Sequence, residues 1–222
     1  MKAFTNLSTD SSIVADKDVI GGGSKFGAWE SGSYDTVIEL AYVDESKGGA
    51  MSVNFVFKTQ DGKEKGQLNY YIDKEGTKKY LPGFNQVNDI CLLANGTELS
   101  EMETETKTIS LYSFDLKKEV PTKKEVLTDL IGKEITLGVL KVIQDKYNKP
   151  GETQTINEIS KSFHPDDHRT VNEIRAEDKE AAFFSAWSEK NTGIVINKVG
   201  KSGAAPAAGA VADAPKKSLF GK

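Results

Sequence analysis

The stretch MSVNFVFKTQDGKEKGQLNYYI (51–72) decides the fold. Its first half alternates, with Val53, Phe55 and Phe57 on one side and Asn54, Val56 and Lys58 on the other, the period of a half-buried β-strand. Asp61-Gly62 tolerates the positive φ that a two-residue hairpin turn requires. The second half resumes the alternation, Leu68, Tyr70 and Ile72 against Gln67, Asn69 and Tyr71. Two antiparallel strands joined by a tight turn are therefore expected.

Upstream, YDTVIELAYVD (34–44) reads as a further strand with Tyr34, Thr36, Ile38, Leu40 and Tyr42 on one face, broken by Gly48 and Gly49. Downstream the period changes. Phe84, Val87, Ile90, Cys91 and Leu92 recur at helical spacing between Pro82-Gly83 and Asn95-Gly96. A strand follows at Thr106–Phe114. A short helix is expected over Thr122–Ile131, where Thr122 and Glu125 have capping-box spacing and Gly132 is a stop. Two long strands, Lys133–Tyr147 and Glu152–Phe163, meet at the turn Lys149-Pro150-Gly151, and Glu177–Lys190 reads as a C-terminal helix.

Three strands, a helix and two long strands is the order of an OB-fold, a five-stranded barrel with a helix between strands 3 and 4 that binds oligonucleotides on the face of its second and third strands. The expected class is mainly β with α: an OB-fold-like barrel with inserted segments and a C-terminal helix. Residues 1–33 read as an N-terminal arm, 34–199 as the barrel domain with its helix, and 200–222 as a disordered Ala/Gly/Pro tail.

The 222 residues carry a net charge of −4. Four lysines against one aspartate give the last 22 residues +3, leaving −7 for the rest. A nucleic-acid site in the body must therefore be a local basic stripe. No run approaches the roughly 18 apolar residues of a membrane span, and residues 1–12 lack the apolar core of a secretory signal. The single cysteine, Cys91, permits no intramolecular disulfide, so a reducing, cytosolic setting is expected.

Such a stripe runs along the second and third strands and just beyond. Lys58, Lys63, Lys65, Lys74, Lys78 and Lys79 supply cations, and Tyr71 and Tyr80 supply rings, with Asn69 between. Single-stranded DNA needs both: cations along its phosphates and flat rings under its bases, whichever the sequence. Alternation puts Tyr71 with Asn69 on the face opposite Leu68, making it the first choice for stacking. The bland alternative is a solvated, lysine-rich hairpin. A second candidate group closes the last long strand, where Phe163 and Arg169 flank His164 and His168. Pro165 argues against a helix aligning the two imidazoles, so no metal is expected there.

Enzyme signatures are absent. Gly21-Gly22-Gly23-Ser24-Lys25 lacks phosphate-loop spacing, there is no G-x-S-x-G elbow, and Cys91 falls on the apolar helix face. Glu101, Glu103 and Glu105 read as a solvated acidic edge. No catalytic residue, cofactor or metal is expected. After the tail, Leu219 and Phe220 end a flexible tether, the form of a docking peptide, and Ser218-Leu219-Phe220 resembles the end of peptides that bacterial sliding clamps accept.

Lys58-Thr59-Gln60-Asp61-Gly62-Lys63, Tyr80-Leu81-Pro82-Gly83-Phe84, Val87-Asn88-Asp89-Ile90-Cys91, Leu130-Ile131-Gly132-Lys133 and Thr155-Ile156-Asn157-Glu158-Ile159 together resemble tailed-phage single-stranded-DNA-binding proteins with an OB-fold core. The resemblance spans roughly residues 37–163. It implies sequence-independent binding that coats and protects template strands during phage DNA replication or recombination, without a cofactor. Polymerase or sliding clamp would be partners through the tail. Many such proteins end in an acidic tail; this one is basic. The alternative reading is an accessory factor of phage replication whose barrel and Ser218-Leu219-Phe220 peptide dock protein partners.

Overall fold

The computed structural model describes residues 28–46, 48–59, 62–74, 77–113, 116–146 and 149–200, with residues 63–65, 67–74 and 77–79 described as backbone. Nine strands make one sheet: β1 (Gly32–Glu45), β2 (Ala50–Lys58), β3 (Lys63–Lys74), β4 (Thr77–Tyr80), β5 (Glu105–Ser113), β6 (Lys118–Val126), β7 (Glu134–Asp145), β8 (Thr153–Phe163) and β9 (Val195–Asn197). Three helices accompany them: α1 (Gly83–Asn95), α2 (Val171–Arg175) and α3 (Ala182–Asn191). No helix among the described residues is long and apolar enough to cross a membrane.

The chain is mainly β, and its sheet branches at β1. One edge of β1 pairs with β2, which leads to β3 and β4. The other edge is divided. Gly32–Val37 pair with β7, while Tyr42 and Val43 pair with Val126 and Glu125 of β6. β8 flanks β7 on its far side, and β9 joins β7 in parallel where β1 leaves it. All other ladders are antiparallel. No ladder joins β3 to β8 among the described residues, so the sheet is open there. The gap is narrow: a Cβ on Gly66 would lie 2.6 Å from Ile159 Cδ1.

The alternation of β2 holds. Val53, Phe55 and Phe57 are buried, with the two phenyl rings stacked 5.2 Å apart. Val87, Ile90 and Cys91 of α1 join this core, with Ile135, Leu137 and Val139 of β7. α1 ends as its sequence requires, at Gly96 in the left-handed conformation with its N–H on Leu92 O. Gln86 Nε2 donates to Ile159 O across the gap, tying α1 to β8. Burial pushes the Cys91 thiol up to about 12. Thiolate is the reactive form, so Cys91 is expected to ignore thiol reagents in the folded protein and react only on unfolding. Rapid labelling without denaturant would contradict this placement.

Three bulges interrupt the alternation, each giving one strand an extra residue. In β1 the register jumps between Ile38 and Leu40. Thr36 and Ile38 are buried before it, but Ala41 takes the core position after it. Leu40 and Tyr42 therefore leave the face expected from strict alternation. In β3, Met51 pairs with Tyr71 while Ser52 pairs with Asn69, so Tyr70 is the extra residue. The alternation that grouped Tyr71 with Asn69 stops at that bulge. In β8, Ser160 is extra, because Gly138 pairs with Lys161 and Val139 with Ile159.

The β2–β3 ladder closes at Lys58–Lys63, so four residues separate the strands instead of two. Asp61 lies outside the described residues. The helix expected over Thr122–Ile131 is not formed. Residues up to Val126 belong to β6, paired rung by rung with β5, and only Thr128–Leu130 make a 3-10 turn. Glu125 accepts from Thr104 and Thr106 instead of capping a helix. A real capping box stands elsewhere, where Thr170 and Glu173 satisfy each other's backbone N–H at the start of α2. The C-terminal helix starts at Ala182; Glu177, with φ of 59°, lies outside it.

β1 begins at Gly32, and described residues just before it are already fastened. Trp29 N–H donates to Asn157 Oδ1, and buried Ser31 Oγ donates to Ile194 O.

Candidate nucleic-acid interface

The face of β2 opposite the core carries Ser52, Asn54, Val56 and Lys58. Register extends it into rows across neighbouring strands. Lys58 stands opposite Val37 and Lys63, Val56 opposite Leu40 and Lys65, Asn54 opposite Tyr42 and Gln67, and Ser52 opposite Asp44 and Asn69. Tyr42 also faces Val126 of β6. Leu40, Tyr42, Asn54 and Val56 are half-buried, whereas Lys58 is exposed. The bulge in β1 makes this face, because it brings Leu40 and Tyr42 into line with Val56 and Asn54.

The rows differ in chemistry. At one end the Lys58–Lys63 rung pairs two lysines in register. In the middle Tyr42 pairs with Asn54, beside the Leu40–Val56 pair. Burial, with the Asp44 carboxylate next, pushes the Tyr42 hydroxyl up, so it stays protonated at neutral pH. At the far end Asp44 is held by Lys124 Nζ at 2.6 Å, and Asn54 Nδ2 donates to Ser52 Oγ at 3.3 Å.

The lysines and tyrosines expected as a stripe thus divide. Lys58 and Lys63 share one rung and Lys65 stands two rungs along, past the Phe57–Glu64 pair, with Asn69 further along β3. Tyr71, Lys74, Lys78 and Lys79 belong to the β3–β4 hairpin, where Tyr71 pairs with Tyr80, Ile72 with Lys79 and Asp73 with Lys78. Lys63 and Lys74 stand at opposite ends of β3, roughly 35 Å apart along the strand. Tyr80 is 66% exposed, with its ring 4.4 Å from that of Phe84 on α1. It is a ring platform at the hairpin end.

No protein-family model matches the chain, and no curated protein matches it either.

Two expected contacts are corrected. Phe163 is fully buried, its ring 5.0 Å from Phe184 and 6.0 Å from Trp187, so no base can stack on it. It ends β8 inward, where α3 covers it. Arg169 is already engaged. Its Nε and Nη2 lie 2.9 and 2.7 Å from Asp167 Oδ2, and Nη1 donates to Asp178 O. It clips a turn together and offers little to phosphate. Leu219 and Phe220 lie outside the described residues.

The two histidines do not converge on a shared ion. His164 Nδ1 lies 3.3 Å from Asp167 Oδ1, without the alignment of a hydrogen bond. His168 stacks on Phe184 at 4.3 Å and approaches Asp35. Among the described residues no group of three or more His, Cys, Asp or Glu side chains could hold a metal.

Hydrogen bonds from Arg169 hold the Asp167 carboxyl below its ordinary value of 3.8. A lowered folded value stabilises above the unfolded value and is lost as pH falls through the folded one. Asp167→Asn is therefore expected to flatten the acid limb of the unfolding midpoint plotted against pH. An unchanged acid limb would remove this role.

The sequence reading missed Tyr42. Its parity pointed it to the core, and nothing in a single sequence marks the bulge that reverses it.

Proposed function

We propose that this protein binds single-stranded DNA without sequence preference, on the β1–β2–β3 face. The observation that carries the reading is the row pattern: the Lys58–Lys63 rung for phosphate beside a half-buried tyrosine framed by Asn54 and Val56. A strand of nucleic acid needs that combination, cations at the edge and a ring with amides at the centre. An OB-fold is the finer description of the core. β3-β2-β1-β7-β8 is the succession of its five strands, with α1 between the third and fourth and the β3–β8 gap as the open seam. The resemblance to tailed-phage single-stranded-DNA-binding proteins supports the same reading. The role would be coating and protecting template strands in phage DNA replication or recombination, with replication proteins engaged through the C-terminal segment.

The test is fluorescence anisotropy with oligo(dT) across a salt series. Binding at micromolar protein or tighter is expected, weakening as salt rises because phosphate contacts release counterions. No binding at low salt sinks the proposal. A salt-resistant complex with a replication protein and no DNA affinity would put the docking-factor reading in its place.

A further inference from the structure

β5 and β6 form a ribbon that leaves the body. β6 pairs with β1 only at Val126 and Glu125, so everything beyond Lys124 is held by the ribbon's own ladder for roughly 25 Å. Two-stranded ribbons are marginal unless one face is covered.

Its two faces differ. One carries Thr106, Thr108 and Ser110 against Glu125, Lys123 and Pro121, with Ser110 Oγ donating to Glu119 and Thr106 Oγ1 to Glu125. The other sets Leu111 opposite Val120 and Ile109 opposite Thr122, all half-buried. This second face is continuous with the β1–β2–β3 face, because Val126 is the rung beside Tyr42 and Lys124 reaches Asp44.

Lysines mark both ends of that ribbon face. At its root Lys107 stands directly opposite Lys124, repeating the like-charge rung of Lys58 and Lys63. Each has a carboxylate neighbour, Glu105 for Lys107 and Asp44 for Lys124, but the Lys107 pair is exposed and adds little. Near the tip, Lys118 stands opposite Ser113. Residues 105–126 hold five lysines against four acidic residues, a net +1 on a body of −7.

We propose that the ribbon is a second stretch of the single-stranded-DNA track. The strand leaves the Tyr42 row past Val126, whose own side chain is fully buried, a phosphate sits at exposed Lys107 on the rung it shares with Lys124, and the bases lie along Ile109, Leu111 and Val120. This rests on the reading of the β1–β2–β3 face given above. The polynucleotide is the occupant that the paired lysines and the apolar strip fit together, and its length decides whether the ribbon is reached.

The experiment uses the full chain with Lys107→Glu and Lys118→Glu combined, both exposed positions. Lys123→Glu on the opposite ribbon face is the control. Affinity is measured for oligo(dT) of about 8 and about 30 nucleotides, the shorter enough for one barrel face and the longer for face and ribbon. The double variant is expected to lose roughly ten-fold or more on the longer oligonucleotide, with a shallower salt slope, and to change less than about two-fold on the shorter. The control should match the parent on both. If the double variant binds the longer oligonucleotide as the parent does, or the control loses as much, the ribbon track is wrong while the face reading stands. If the parent binds neither oligonucleotide, both fall.

Discussion

A Trp187→Ala protein is expected to be about 3–5 kcal/mol less stable than the parent, the cost of emptying a large aromatic site. Trp187 is 8% exposed and is the buried residue of α3. Its ring lies against Gly138 of β7, where a Cβ would come within 2.8 Å of Cζ2. The indole N–H donates to Ser160 Oγ at 3.1 Å, and Ser160 is the extra residue of the β8 bulge. Glycine, bulge and tryptophan thus form one joint. The bulge presents a hydroxyl, the missing side chain leaves room for the ring, and Phe163 packs beneath at an edge-on angle of 63°. Denaturant unfolding monitored by circular dichroism measures the loss. Gly138→Ala should cost about 1–3 kcal/mol in the parent, because the rigid ring must shift. It should cost clearly less when Trp187 is already alanine, since contacting residues are not additive. Equal costs in both backgrounds would break the joint into unrelated parts.

Tyr42→Ala is expected to weaken oligo(dT) binding by about 1–3 kcal/mol, or roughly 5- to 150-fold, the usual worth of a base stacked on an aromatic ring. Tyr42→Phe should bind nearly as the parent, because the ring is what stacks. The unfolding midpoint of each variant separates lost contact from lost fold. Binding by a folded Tyr42→Ala protein at parental strength would take Tyr42 off the DNA path and leave the proposed face without its centre.

Much of the architecture is legible in local sequence. The Val53-Phe55-Phe57 alternation, the Phe84–Asn95 helix with its terminal glycine and the two long strands meeting at Lys149-Pro150-Gly151 all stand as read. In each case the residues that fix the backbone are neighbours in sequence. Alternation sorts sides within a strand, and Gly96 at φ 72° ends a helix where a side chain would be strained.

Tertiary pairing decided the rest. Thr-x-x-Glu occurs at 36–39, 122–125, 155–158 and 170–173, and only the last caps a helix. Val120 and Thr122 find partners in Leu111 and Ile109 of β5, and those cross-strand contacts outweigh a local cap that each sequence alone offers equally. The candidate face divides in the same way. The sequence by itself placed Lys58 opposite the core and supplied lysines for the rung it shares with Lys63. It could not place Tyr42 or Tyr71 across the bulges in β1 and β3, nor show that Phe163 is roofed by α3 and Arg169 held by Asp167. A bulge arises from how two strands settle against each other, and burial depends on elements far away in the chain, so neither is written in the spacing of neighbouring residues.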